Sequence, residues 1–172
     1  PPPDSLTLEG HSLQALLELS QEIHTTGDPY RVAELGLLKL MGHLGTSAAA
    51  LWVFSKQTGR PVLLRSLGVP ERTAAALGDI CVSRLVADHA GGTEPVFVDD
   101  LSTALTAAES SLAHAARISL FGLLFSSGKP VGAVALGRRV TGTAYAPGQL
   151  RILQASLHHL GVALENTLLY AS

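Results

Sequence analysis

Two pairs of apolar segments, each joined by a short run of turn-forming residues, constrain this chain more than anything else in it. Ile118–Phe125 (ISLFGLLF) and Val131–Gly137 (VGAVALG) flank Ser126-Ser127-Gly128-Lys129-Pro130. Ser47–Ser55 (SAAALWVFS) and Pro61–Ser66 (PVLLRS) flank Lys56-Gln57-Thr58-Gly59. Glycine, proline and serine between apolar runs of this length mark hairpins, because such residues reach the backbone angles that a tight reversal needs. Strands joined by hairpins pair antiparallel. Ser47–Ser55 is apolar on both of its faces, so it belongs in the interior of a sheet rather than at its edge.

Helices account for most of the rest. Over residues 5–26, Leu13, Leu16, Leu17 and Ile23 recur at three- and four-residue steps, and Gly27-Asp28-Pro29 stops the pattern. Asp28 then supplies an N-cap, with Pro at the first helical position, for a second helix from Pro29 to Leu44 with Val32, Leu35, Leu38 and Met41 on one face. A third helix is expected from Pro70 to about His89, a short strand at Pro95–Val98, and an Ala- and Ser-rich helix from Thr103 to Ala116. After a loop through Gly142 and Tyr145, a long closing helix runs from Pro147 to Tyr170. The order ααββαβαββα, with hairpins inside and helices at both ends, implies an α+β layer fold.

The chain of 172 residues fits a single domain, with residues 5–26 as N-terminal helix, 29–139 as core and 147–170 as C-terminal helix. Apolar residues make up 47% and charged residues 15%, which excludes an intrinsically disordered chain. Mean hydropathy is high, at +0.30. Yet the longest uncharged stretch, between Lys39 and Lys56, is broken by Gly42, Gly45 and Thr46, and a spanning helix needs about 20 apolar residues. The opening Pro1-Pro2-Pro3-Asp4 has no signal-peptide character, and the missing initiator Met suggests an excised piece of a longer chain. With a net charge of −2 and no basic cluster beyond Arg138-Arg139, nucleic acid is not an expected partner. One cysteine, Cys81, excludes an internal disulfide and fits a reducing, cytoplasmic location.

The C-terminal third carries a resemblance. Gly128-Lys129-Pro130-Val131-Gly132-Ala133-Val134-Ala135-Leu136-Gly137, then Tyr145-Ala146-Pro147, then a helix ending Ala163-Leu164-Glu165-Asn166-Thr167-Leu168-Leu169-Tyr170, resembles the close of a GAF domain. Pro95-Val96-Phe97-Val98-Asp99-Asp100 is similar to that family's short central strand running into an acidic pair. The resemblance implies a central antiparallel sheet of five or six strands. It places the first, second and last helices on one face and a small-molecule pocket under helices and loops on the other. It further implies a non-enzymatic regulatory module, sensing a small ligand or dimerising, within a larger protein such as a sensor kinase, diguanylate cyclase or transcription regulator. A constitutive dimeriser with no ligand is the alternative, and a methionine sulfoxide reductase a third. That last activity exchanges thiols between cysteines, and Cys81 has no resolving partner in the chain.

Several constellations remain to be weighed. In the closing helix Leu150, Leu153, Leu157, Leu160 and Leu164 alternate steps of three and four, with Leu168 one turn later, the pattern of a coiled-coil seam. A second strip, Ile152, Val162, Ala163 and Leu169, lies elsewhere on that helix. Two apolar strips call for two partners, so the leucines are expected to form a parallel homodimer interface with the first helix. For a ligand, Phe97, Asp99, Asp100, Arg117 and Phe121 combine apolar and polar groups around the short strand and the start of the next. Cys81, in Asp79-Ile80-Cys81-Val82, lacks the context of a chromophore anchor and reads as a buried, inert thiol. His158-His159 is not followed by the acidic residue and proline of a phosphorylation box, and the other histidines lack metal-ligand spacing. Gly122 to Gly128-Lys129 misses the phosphate-loop spacing and reads as a hairpin turn. No cofactor or metal is expected.

Overall fold

The computed structural model describes residues 27–82, 95–98 and 106–171. The helix expected over 5–26, the last residues (83–89) of the one expected over 70–89 and the first residues of the one expected from Thr103 lie outside them.

Asp28 opens helix α1, Pro29–Leu44, by accepting the Tyr30 amide N–H on Oδ1 at 3.0 Å, with Pro29 in the first turn. Gly45 closes it in the left-handed region (φ 70°), donating its N–H to the Met41 carbonyl. The inward face of α1 is Val32, Ala33, Gly36, Leu37, Leu40 and Leu44. This corrects the expected face, since Leu38 is 50% exposed and Leu35 and Met41 are only half-buried.

Strands β1 (Ala49–Phe54), β2 (Pro61–Leu67), β3 (Val96–Phe97), β4 (Ile118–Ser126) and β5 (Lys129–Gly137) form one antiparallel sheet in the order β2-β1-β5-β4-β3. Four strands of six to nine residues carry it, and β3 adds two residues at the edge. β1 is interior, as its two apolar faces require. The β4–β5 reversal is made by Ser127 (φ 53°) and Gly128 (φ 77°), a two-residue turn whose positive angles match strand twist.

Both faces of the sheet are buried. Ala49, Leu51, Val53, Leu120, Leu124, Val134 and Leu136 face one apolar cluster together with α1 and the long helix α4 (Pro147–Ala171). Ala48, Ala50, Trp52, Ile118, Phe121, Leu123, Ala133 and Ala135 face a second cluster with Ala74, Leu77 and Val82. Alternation along β1 and β5 is strict. In β4 it is offset by an irregularity between Ile118 and Leu120, which changes the face taken by every later residue.

Helix α4 lies directly on β4 and crosses α1. Close approach depends on glycine at three points. A Cβ at Gly161 would come within 2.5 Å of the Phe125 carbonyl oxygen, one at Gly122 within 2.4 Å of Leu157 Cδ1, and one at Gly36 within 2.8 Å of Leu160 Cδ1. The other layer is less regular. Helix α2 (Glu71–Leu77) passes into a π-helical turn, Gly78–Val82, rather than continuing as the single α-helix expected from Pro70 to His89. The change falls where the Trp52 indole wedges against the helix. Its Nε1–H donates to the Ala74 carbonyl at 3.1 Å, and a Cβ at Gly78 would come within 2.5 Å of that nitrogen. The Gly78 N–H keeps its bond to the same Ala74 carbonyl and also reaches that of Ala75, so the indole packs against the helix without breaking its ladder. Helix α3 (Ala107–Ala115) is capped by Thr106 Oγ1, which accepts the Glu109 N–H at 3.2 Å. Among the described residues no helix is long and apolar enough to cross a membrane.

Candidate ligand-binding site

The residues expected to make a ligand site are not brought together. Phe97 pairs with Leu120 in the β3–β4 ladder and packs, half-buried, on the α1/α4 side of the sheet. Phe121 is fully buried on the opposite side. The two rings therefore point into different layers, because neighbouring positions of a strand face opposite ways. Asp99 and Asp100 lie outside the described residues. Only Arg117, exposed at the head of β4, borders an open cavity.

On the face where the resemblance places a small-molecule pocket, the described residues are close-packed. Trp52 and Phe121 are both 0% exposed, and the Trp52 N–H is satisfied by Ala74. Sequence reasoning passed over Trp52 as one more apolar strand residue. Its signal was there: it is the sole tryptophan, at the middle of a strand that is apolar on both faces.

Among the described residues, open space lies at the two ends of the sheet. A cavity of about 550 Å³ is bordered by Ser47, Ala48, His114, Arg117, Ile118, Arg138, Arg139 and Val140. Strand register explains why three arginines meet there. The β4–β5 ladder ends with Ile118 opposite Gly137, so Arg117 and Arg138 stand one step beyond it on neighbouring strands. The β1–β5 register, extended by the Thr46–Arg139 bridge, puts Ser47 beside Arg138. His114 sits on the last turn of α3, and its carbonyl accepts the Arg117 N–H at 3.0 Å. The His114 Nδ1–H donates to the Ser110 carbonyl at 2.7 Å, which orients the ring.

Arg139 has a second task. Its Nε donates to the Leu44 carbonyl at the end of α1 (3.2 Å), and Nη1 donates to Thr143 Oγ1 in the loop before α4 (2.7 Å). The Val140 N–H reaches the Gly45 carbonyl at 2.7 Å. Beside this junction the buried Tyr145 hydroxyl donates to the Gly137 carbonyl at 2.6 Å. Burial pushes its pKa up, opposed by a hydrogen bond with Thr46 and by the charge of Arg139. The wall of the cavity is thus tied to the end of α1 and to the loop that leads into α4.

A second, more apolar hollow of about 780 Å³ opens at the other end, between Phe54, Val131 and Leu168, and is bordered by the Lys56–Glu165 ion pair (3.0 Å). The expected dimer seam is occupied within the monomer. Leu153, Leu157, Leu160 and Leu164 are at most 2% exposed, and Leu150 and Leu168 pack partly buried against the same cluster. Leu153, Leu157, Leu160 and Leu164 pack into the groove between β4 and α1, which leaves them little surface for a second chain. His158 and His159 are both exposed, with rings 5.9 Å apart. Cys81 lies in the π-helical turn, but its side chain is outside what the structure describes. Among the described residues, no three His, Cys, Asp or Glu side chains converge as metal ligands would.

No family model and no curated protein matches the sequence. Solved structures do match the fold. The GAF domain of a phosphoenolpyruvate-protein phosphotransferase from Coxiella burnetii superposes with a TM-score of 0.71 at 15% identity, over 93% of this chain and 96% of that one. The GAF domain of a protein described as a sensor histidine kinase, from Pseudomonas syringae pv. tomato, gives 0.67 at 13% identity over 98% and 94%. A phycoerythrobilin-bound GAF domain of a cyanobacterial phytochrome gives 0.66 at 11% identity over 94% and 98%. Two buried layers on one antiparallel sheet, closed by a long C-terminal helix, are a GAF-type fold, and that is the fold of this chain.

Proposed function

We propose that this chain is a non-enzymatic regulatory domain of a larger signal-transduction protein, passing a local change at the sheet to an attached output domain such as a sensor kinase, diguanylate cyclase or transcription regulator. The observation that carries the reading is the coupling of the open cavity to the two long helices. Arg139 joins the end of α1, the end of β5 and the loop entering α4 through the Leu44 and Thr143 hydrogen bonds. A ligand that favours one arrangement of that junction shifts the α1/α4 layer, and a difference in affinity between two arrangements is all that such signalling requires. The similar GAF domains from a phosphotransferase, a histidine kinase and a phytochrome support a signalling role.

Dimerisation belongs to the same reading, but on a surface other than the leucine seam. Ile152, Ala155 and Val162 lie half-buried along α4, and Tyr30 and Leu38 on α1 are 54% and 50% exposed. Apolar side chains in such positions gain from a partner helix. The close packing of Trp52 and Phe121 among the described residues supports the second reading, a constitutive dimeriser without a ligand. Sedimentation at micromolar concentration together with thermal shift against nucleotides, metabolites and haem separates the two. Dimer plus a saturable shift with one compound class supports the sensor, dimer with no shift supports the constitutive module, and a monomer with no shift removes both.

A further inference from the structure

We propose that the cavity bordered by His114, Arg117, Arg138 and Arg139 binds a compact, multivalent phosphate-bearing anion. The proposal deepens the regulatory reading by naming the ligand class, and it stands on three observations.

The first is charge. Three guanidinium groups border one cavity of about 550 Å³, and among the described residues no carboxylate borders it. The Arg31–Glu34, Arg65–Glu34 and Lys56–Glu165 ion pairs lie away from these arginines. The second is register. Arg117 and Arg138 stand opposite one another just beyond a ladder, where like charges destabilise a strand pair unless something neutralises them. The third is backbone. Arg117 adopts φ 61° at the position following α3, a conformation that glycine takes freely and a side chain does not. Two unfavourable features coincide in one residue, and both put its side chain at the cavity.

Guanidinium groups grip phosphate oxygens through paired N–H donors, and three of them match a di- or triphosphate better than a single carboxylate. Arg139 is held by Leu44 and Thr143, so one wall is preorganised, while Arg117 and Arg138 are exposed and able to close on the anion. Ser47 and the His114 ring add polar contacts at the rim.

The test uses pyrophosphate in calorimetric titration of the purified chain, with sodium chloride of matched ionic strength as control. Saturable binding at millimolar or tighter affinity is expected, with none in chloride. Arg138→Ser should weaken it roughly tenfold or more, as expected for loss of one charge-assisted contact. Arg117→Gly is the sharper variant, because it removes the guanidinium while relieving the backbone. Its thermal midpoint without ligand should rise while pyrophosphate affinity falls, a pair of results that damage to the fold cannot produce. Absence of saturable binding, or binding indifferent to both substitutions, overturns the proposal. A thermal shift with some uncharged compound in the same variants would leave the regulatory reading standing while this one fell.

Discussion

Gly161 is the residue at which the docking of α4 is most exposed to a small change. A Cβ there would sit 2.5 Å from the Phe125 oxygen and 3.0 Å from its nitrogen, and both are backbone atoms that cannot rotate away. Gly161→Ala should therefore destabilise the fold by about 3 kcal/mol, the scale of overpacking in a rigid contact. Gly148, in the first turn of the same helix, has only the Arg151 guanidinium within 4 Å of a built Cβ. Gly148→Ala should stabilise by about 0.5 kcal/mol, from helix propensity alone. Urea denaturation of the two variants reads opposite signs from one chemical change. Tyr145 supplies a second prediction at this scale. Burial raises its pKa, so from about pH 10 upward the unfolded chain ionises this phenol while the folded chain does not. Its contribution to stability is complete below that range and is lost as pH rises through the folded value. Tyr145→Phe should cost about 1 kcal/mol at neutral pH, through loss of the Gly137 hydrogen bond. The variant should also lose stability less steeply between neutral and strongly alkaline pH, measured by denaturant midpoints across that range.

At the scale of elements, the closing helix shows both what the sequence states and where it stops. Its leucine spacing correctly marks the buried face, and the N-cap, the Pro at the start of α1 and both hairpins are equally plain, since each is a local property of a few neighbouring residues. What covers a buried face is not local. Leucines at alternating steps of three and four suit a second chain, and they suit equally a groove between a strand and a helix of the same chain, which is where these lie. The same gap separated Phe97 from Phe121. Their faces depend on register and on the irregularity early in β4, and neither is written in the strand's own residues. The arginine cavity is non-local in the same way, because Arg117 and Arg138 are neighbours only through pairing. The intramolecular seam can be checked. Leu157→Ala should lower stability by about 3 kcal/mol. The loss should not depend on protein concentration, whereas an interface leucine would make the unfolding midpoint concentration-dependent.

At the scale of the whole molecule, the question is whether an event at the sheet end can reach the surface of α4. The route is short and physical: Arg139 holds the Leu44 carbonyl, the Thr143 hydroxyl and the wall of the cavity at once, and the Val140 amide adds a further tie to Gly45. An anion drawing on Arg138 and Arg139 therefore acts on the two helix ends together. Coupling of the usual size, about 1–3 kcal/mol, would change the balance between two arrangements by roughly five- to hundredfold. Amide hydrogen exchange measures this directly. With pyrophosphate bound, exchange should slow at the end of α1 and in the first turns of α4, and not only around the cavity. Arg139→Ala should preserve the fold, since it removes exposed and half-buried hydrogen bonds rather than core packing, at a cost of about 1–2 kcal/mol. In that variant, protection around Arg117 and Arg138 should persist at saturating pyrophosphate while the added protection in α4 disappears. Equal protection of α4 with and without the Arg139 side chain would mean that the junction is only a structural tie. The signal would then have to travel through the β4–α4 contacts at Gly122 and Gly161, where the packing leaves no slack for a helix to move independently of its strand.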